Sequence, residues 1–360
     1  MSHGSVAPEE RPVEAPPPQL RAGGKGKPGR KWLIVLVSTL AVVMVVGLSL
    51  GSVYAVSVGK AVDTNLQRTN SMPAETPTTP RKQTPSQTGT TSRVDAKPRP
   101  APTENGALNV VLIGADDAAG GASRSDALMV LHLDADRRHA YLISFPRDMY
   151  VSIPEHGRNK INAAFALGGT ALTVRTLEGL LDTRMDHVAV IDFHGFIELT
   201  EELGGVQVRN EHASVSGGFR FPSGDITVSG DEALAYVRQR KELPNGDLDR
   251  AERQRAVMLG ILAKGLSRET ISNPQRFLAF TSGVARHVTV DDALTTKAIR
   301  TIALSLRLGP DDVISLQAPI SGFGETRNGQ SIDIVDTKRL KSMARALRQD
   351  SLAGYVVEPR

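Results

Sequence analysis

The 360-residue chain contains no cysteine. A folded part lying outside the cytoplasm must therefore be held by its apolar core, because no disulfide can form. Two glycine signatures are also missing. Gly114, Gly120 and Gly121 fall near one another, but neither G-x-G-x-x-G nor G-x-x-x-x-G-K-[ST] is present, which excludes a conventional dinucleotide site or P-loop. The formal net charge is only +4, and its basic residues are too scattered to argue for a nucleic-acid partner. Residues 1–31 lack apolar periodicity and are rich in Pro, Gly and charge, so they read as a disordered tail.

The next stretch lacks charge altogether. From Trp32 to Val58 there is no charged side chain. A helix rising about 1.5 Å per residue needs about 20 residues to cross a hydrocarbon core about 30 Å thick, so this run is long enough to span with some tilt. An uncleaved anchor fits it better than a signal peptide or a buried soluble helix. Arg11, Arg21, Lys25, Lys27, Arg30 and Lys31 precede it, whereas only Lys60 and Arg68 closely follow. The positive side stays inside, so the expectation is a single-pass membrane protein with a cytoplasmic N-terminus and an extracytoplasmic remainder. Residues 59–107, rich in Thr, Pro, Ser and Gln, read as a disordered stalk; residues 108–350 form the one folded unit, and 351–360 a short tail.

Within 108–350 the hydrophobic period switches repeatedly. The runs 109–115, 127–133, 140–146, 186–193 and 313–319 read as strands; 171–181, 196–203, 250–266, 292–306 and 337–348 read as helices. Interleaved in this order they predict an α/β fold, a mixed central β-sheet flanked by helices on both faces.

Charge then falls at strand ends, where open α/β sheets bind ligands. Asp116 and Asp117 follow the first strand, and Asp126 precedes the second in Arg124-Ser125-Asp126. Such carboxylates suit one hard cation such as Mg²⁺, or simply cap turns. Arg147-Asp148 ends the third strand, either as site residues or as a surface ion pair. The densest stretch is RQRKELPNGDLDRAERQR, 238–255, with five arginines, one lysine and four acids around a Pro-Asn-Gly turn. Ser229 and Glu232 predict a capping box for the helix before it. If the chain extends beyond Val237, Arg238 and Arg240 share a side; if a helix restarts near Asp247, then Asp247, Arg250 and Gln254 form one stripe. Arginines facing a helix N-terminus make an anion site, while Arg253 and Arg255 fall off the stripe toward solvent.

Seven ordered pieces, NVVLIGADD, RSDALMVLH, LISFPRDMYVSIP, KINAAFALGG, DHVAVIDFHGF, LGGV and ALAYVRQRKELPNGDLDRAERQR, resemble the LytR-CpsA-Psr family across nearly the whole folded unit. The resemblance implies a membrane-anchored phosphotransferase that moves a glycan phosphate from a polyprenyl-pyrophosphate carrier to a hydroxyl of peptidoglycan N-acetylmuramic acid. Its motifs suggest Asp116 and Asp126 as ligands of Mg²⁺, or of Mn²⁺. They suggest Arg124, Arg147, Arg238, Arg240, Arg250 and Gln254 as a pyrophosphate clamp, with Asp247 orienting Arg250. Asp126, Arg147 and Arg250 are the catalytic candidates, Asp126 as proton acceptor. An apolar cavity for the lipid tail is implied, with candidate walls around 171–181, 193–203 and 257–262. Some positions depart from the family's common pattern: Ala118 and Ala119 stand where an arginine is frequent, Ala127 where a hydroxyl is, and Asp117 is a second candidate ligand. The form LPNGDLDR resembles the actinobacterial branch, for which the glycan would be arabinogalactan or another secondary wall polymer such as teichoic acid. Hydrolysis of the same lipid pyrophosphate and a membrane-bound regulatory role are the alternatives.

Overall fold

A computed structural model of the chain describes residues 60, 63–74, 98–103, 105–116 and 125–357. The tail, the 32–58 run, Asp117 and Arg124 lie outside the described residues. Among the described residues no helix is long and apolar enough to cross a membrane.

Seven strands form the main sheet: β1 (Gln67–Thr69), β2 (Leu108–Ala115), β3 (Ser125–Leu133), β4 (Ala140–Ser144), β7 (His187–Asp192), β12 (Thr289–Asp291) and β13 (Val313–Gln317), in the order β1-β12-β7-β2-β3-β4-β13. The remaining strands make four ribbons: β5 (Tyr150–Ile153) with β6 (Gly157–Lys160), β8 (Val206–Asn210) with β11 (Gly224–Val228), β9 (Ser214–Ser216) with β10 (Phe219–Phe221), and β14 (Ile320–Glu325) with β15 (Ser331–Val335). The sheet is mixed: β2 runs parallel to β7 and antiparallel to β3, and β4 is antiparallel to β3 but parallel to β13. The helices are α1 (Ala163–Leu181), α2 (Phe193–Glu202), α3 (Gly230–Arg238), α4 (Asp247–Leu266), α5 (Arg268–Ile271), α6 (Pro274–His287), α7 (Thr296–Ser305), α8 (Thr337–Arg348) and α9 (Leu352–Val357).

Strict alternation along β2 decides the layering. Val111, Ile113 and Ala115 point into a closed core with Val130, Ile143, α1 (Phe165, Leu177) and α8 (Met343, Leu347). Leu112 points the other way, where with Met129, Leu131, Ala189 and Ile191 it floors a cavity of about 300 Å³ roofed by α2, α4 and α6. The 171–181 segment therefore packs in the closed core on the face away from this cavity, against expectation. The walls are those expected around 193–203 and 257–262, represented by Phe193, Phe196, Val257 and Ile261, joined by Phe280 and Val284 of α6. Periodicity marks which residues of an element are apolar, but not which side of the sheet the element packs on.

Helix α1 also begins eight residues before the expected 171. Its backbone breaks at Gly168 and Gly169, the latter at φ 60°, a left-handed value that glycine adopts without strain, so only the second segment carries a clean helical period. The capping box before α3 is not formed. Gly230, at φ 57°, turns the chain as it enters the helix; Ser229 Oγ donates instead to Thr200 O, and Gly230 N–H to Thr200 Oγ1.

The folded unit extends beyond 108–350 at both ends. Residues 67–69 of the expected stalk are the edge strand β1, parallel to β12. Arg99 of the same stretch is buried against the carboxylate of Glu178, 2.7 Å away, and donates to Met185 O. In the expected C-terminal tail, Leu352 of α9 is 1% exposed within the closed core. A single buried arginine or leucine in polar surroundings has no periodicity to announce it.

Candidate active site

The carboxyl ends of β2, β4 and β7 lie at one edge of the sheet, together with the start of antiparallel β3. Asp116 is exposed just beyond β2. Asp126 sits at the register shift that β3 makes opposite Ala115. Two residues past β4, Pro146 leads into a turn at Arg147–Asp148, and Arg147 comes beside Asp126, Nη1 to Oδ1 2.9 Å.

Helix α4 brings the second half. Gly246, at φ 54°, supplies the left-handed backbone that closes the Pro-Asn-Gly turn, and the helix begins at Asp247 as the sequence predicts. Asp249, rather than Asp247, ties this turn down, accepting from Asn245 N and Nδ2. Asp247 is thereby left for the cations. Its Oδ1 lies 2.7 Å from Arg250 Nη2, 3.1 Å from Arg240 Nε and 3.4 Å from Arg147 Nε, while Arg250 Nη1 is 3.8 Å from Asp126. One carboxylate thus collects three guanidiniums, and a second carboxylate shares two of them.

These contacts are ion pairs by distance rather than aligned hydrogen bonds. Arg147 Nε, Arg250 Nε and Asp247 Oδ1 are buried without a hydrogen-bond partner. Buried donors of this kind are costly unless a ligand uses them. Burial is also the main reason the Arg250 guanidinium holds its proton less tightly than usual; Asp247 opposes this, and neighbouring Arg147 adds to it. With Lys160 and Asp148, which join the network through Arg147, four cations face three carboxylates, so these linked groups keep a net positive charge suited to a multiply charged anion.

The other expected residues divide. Gln254 does reach the site, but its amide donates to Asp126 O and Val237 O, joining β3 to the end of α3. Arg238 ends α3 and parts from Arg240: its guanidinium lies 4.5 Å over the Phe193 ring, on the cavity wall. Asp126, Arg250 and Gln254 line that wall too, so the cationic site and the apolar cavity are continuous.

Arg253 and Arg255 are not solvated, against expectation. Arg253 is 4% exposed, bonded to Gln239 Oε1, Asn210 Oδ1, His212 O and Ser214 Oγ, and stacked 4.4 Å from the Tyr236 ring. Arg255 reaches Ser144 Oγ and Gln317 Oε1 at the ends of β4 and β13. They face the ribbon β9–β10 and the sheet edge, neighbours that helical spacing alone cannot reveal.

Three groups beside the site were absent from the sequence reading or not resolved by it. Asp148 binds Lys160 Nζ at 3.0 Å. Asp333 of β15 donates its N–H to Asp148 O, and burial, reinforced by Asp148 and Asp247, pushes its carboxyl up to about 6. The one available signal was an acid inside the apolar strand SIDIV.

Among the described residues no group of three or more His, Asp or Glu is placed to hold a metal ion. Asp116, just beyond β2, and Asp126, at the start of β3, carry oxygen donors of the kind a hard cation such as Mg²⁺ takes beside phosphate oxygens.

Comparison with known proteins places these features. The model of the LytR_cpsA_psr family matches residues 63–349. A protein of Enterococcus faecalis named polyisoprenyl-teichoic acid–peptidoglycan teichoic acid transferase TagU is 34% identical over 67% of this chain and 78% of its own length. The protein of that name from Bacillus licheniformis is 37% identical over 51% of this chain, and the matched part spans only 61% of that relative. Among solved structures, Bacillus subtilis TagV matches at TM-score 0.59 and 25% identity, covering 69% of this chain and 98% of that one. TagT bound to LIIa-WTA matches at TM-score 0.56 and 30% identity, covering 69% and 92%.

Proposed function

The chain belongs to the LytR-CpsA-Psr family, and from that premise we propose that it is a membrane-anchored, extracytoplasmic phosphotransferase attaching a secondary cell-wall glycopolymer to peptidoglycan. The donor is a polyprenyl-pyrophosphate-linked glycan, and the acceptor is a hydroxyl of N-acetylmuramic acid. The observation that carries this reading is the continuity of Arg147, Arg240 and Arg250 with an apolar cavity. A lipid pyrophosphate needs both halves, a cationic clamp for the phosphates and an apolar slot for the tail. Relatives named as transferases of polyisoprenyl-teichoic acid to peptidoglycan support the same direction.

In this reading the pyrophosphate replaces part of the ion-pair network. Arg147 and Arg250 turn their unpartnered N–H groups to phosphate oxygens, while Asp247 keeps the guanidiniums in register. Arg240, half exposed, closes from the solvent side, and Arg124 adds a further donor. Gln254 holds β3 and α3 at the distance the clamp requires. Arg238 guards the rim where cavity and clamp meet. Asp116 and Asp126 would hold Mg²⁺ or Mn²⁺, which neutralises phosphate charge when bound. The attacking hydroxyl displaces polyprenyl phosphate in line, and the arginines stabilise the negative charge on the phosphoryl oxygens.

The test is product analysis with a labelled donor, with and without peptidoglycan oligomers. Label on the acceptor supports the transferase. Release of phosphorylated glycan at the same rate whether or not acceptor is present would replace it with a hydrolase.

A further inference from the structure

The β14–β15 hairpin is absent from the clamp yet built onto it. Asp333 N–H donates to Asp148 O at 2.9 Å, and Met149 bridges to Asp333, so β15 runs beside the segment that carries Arg147. On the other side of that segment, Asn162 N–H donates to Arg147 O and Ile161 N–H to Met149 O. The hairpin therefore shares a backbone support with a clamp arginine.

Two of its side chains are unexplained by folding. Asp333 is 5% exposed, and its Oδ2 is buried with no hydrogen-bond partner. A buried, unpaired carboxyl opposes folding and calls for a reason. Directly across the ladder stands Phe323, 65% exposed. Opposed residues of an antiparallel pair project on the same face with Cβ atoms about 5 Å apart, so the two side chains start from adjacent points of one face. Asp333 is sheltered because it lies between β14 and residues 148–149, whereas Phe323 is on the outer strand.

An open aromatic ring beside a carboxylate is suited to a pyranose. The axial C–H groups of the sugar give it an apolar face that stacks on the ring, and its hydroxyls donate to the carboxylate. We propose that the Phe323–Asp333 face of this hairpin is the subsite for the acceptor sugar, with Asp333 receiving the proton of the attacking hydroxyl. The inference rests on the transferase reading. As the sugar oxygen bonds to phosphorus, the bridging P–O bond breaks and polyprenyl phosphate leaves with the electron pair. The hydroxyl proton passes to the Asp333 carboxylate and from there to solvent.

The surroundings suit that role. Burial raises the affinity of Asp333 for a proton, Asp148 and Asp247 raise it further, and Lys160 and Arg147 oppose them, with the balance at about 6. Such a carboxyl is ionised at neutral pH and still a competent base. Asp126, the base suggested by sequence, has its Oδ1 taken by Arg147.

The experiment uses the full chain in detergent and a soluble, undecorated peptidoglycan tetrasaccharide as probe. Binding is titrated without donor for the wild type, Phe323→Ala, Phe323→Tyr and Asp333→Asn; transfer is then followed against pH. Expected are at least tenfold weaker tetrasaccharide binding in Phe323→Ala and recovery in Phe323→Tyr. In Asp333→Asn the tetrasaccharide still binds, but transfer falls about 10²–10⁴-fold and the rate limb near pH 6 disappears. Equal binding by wild type and Phe323→Ala, no binding by the wild type, or an unchanged limb in Asp333→Asn overturns the subsite, even where wild-type transfer to peptidoglycan upholds the transferase. Absent transfer with the Phe323 dependence intact would do the reverse, sinking the transferase reading and leaving a sugar-binding subsite.

Discussion

Arg250 Nη2 lies 2.7 Å from Asp247 Oδ1, one turn earlier on the same helix, and the arginine side chain is 5% exposed. That carboxylate oxygen lies within 4 Å of nitrogens from three different arginines, Arg147, Arg240 and Arg250. Asp247→Asn should therefore leave the clamp with mutually repelling cations. Thermal unfolding is expected to show a loss of roughly 3 kcal/mol, as for other broken buried pairs, with much of it restored by added inorganic pyrophosphate. A variant as stable as the wild type, and indifferent to pyrophosphate, would contradict the assignment.

Arg253 tests a different point. Its guanidinium is held by Gln239, Asn210, His212 and Ser214, and its removal leaves buried acceptors unpaired. Arg253→Ala should lower the free energy of unfolding by about 3–5 kcal/mol in urea titrations. Exposed Arg209→Ala should change it by less than about 0.5 kcal/mol.

The carboxyl of Asp333 gives stability a pH dependence of known sign. Its folded-state value of about 6 exceeds the ordinary carboxyl value of 3.8, so the folded protein binds the extra proton. Its contribution is favourable below that ordinary value and is lost as pH rises through about 6. Asp333→Asn should accordingly stabilise the chain at pH 7.5 by about 2–3 kcal/mol and leave it nearly unchanged at pH 4. Denaturant midpoints at the two pH values measure this.

The cavity makes a separate prediction. Ala189 lies mid-strand on its floor. Ala189→Phe should fill the space, raising the melting temperature by a few degrees on the order of a cavity-filling gain. It should also weaken binding of a long-chain prenyl pyrophosphate much more than that of inorganic pyrophosphate. Equal weakening of both would mean that the cavity holds no lipid tail.

How much of this was legible in the sequence depends on the range of each contact. The strand runs around Val111, Val130, Leu142 and Val190 and the Asp247-Arg250-Gln254 stripe follow from period and turn chemistry over a few residues, and they stand as read. The side of the sheet that α1 covers, the burial of Arg253, and the convergence of Asp333 on Asp148 join segments tens to hundreds of residues apart. Local periodicity carries no record of such pairings. Arg253 is the clearest case: its helical position points it away from Asp247, and only the β9–β10 ribbon, placed by tertiary folding, turns that outer face into a buried pocket.

The most direct measurement follows labelled glycan from a synthetic polyprenyl-pyrophosphate donor to peptidoglycan oligomers with Mg²⁺, comparing the full chain with Arg250→Ala and Arg250→Lys. The account predicts label on the acceptor with the wild type, and a loss of at least about 10²-fold in both variants, because a lysine cannot reproduce the paired guanidinium contacts. Transfer at wild-type rates by folded Arg250→Ala would contradict it.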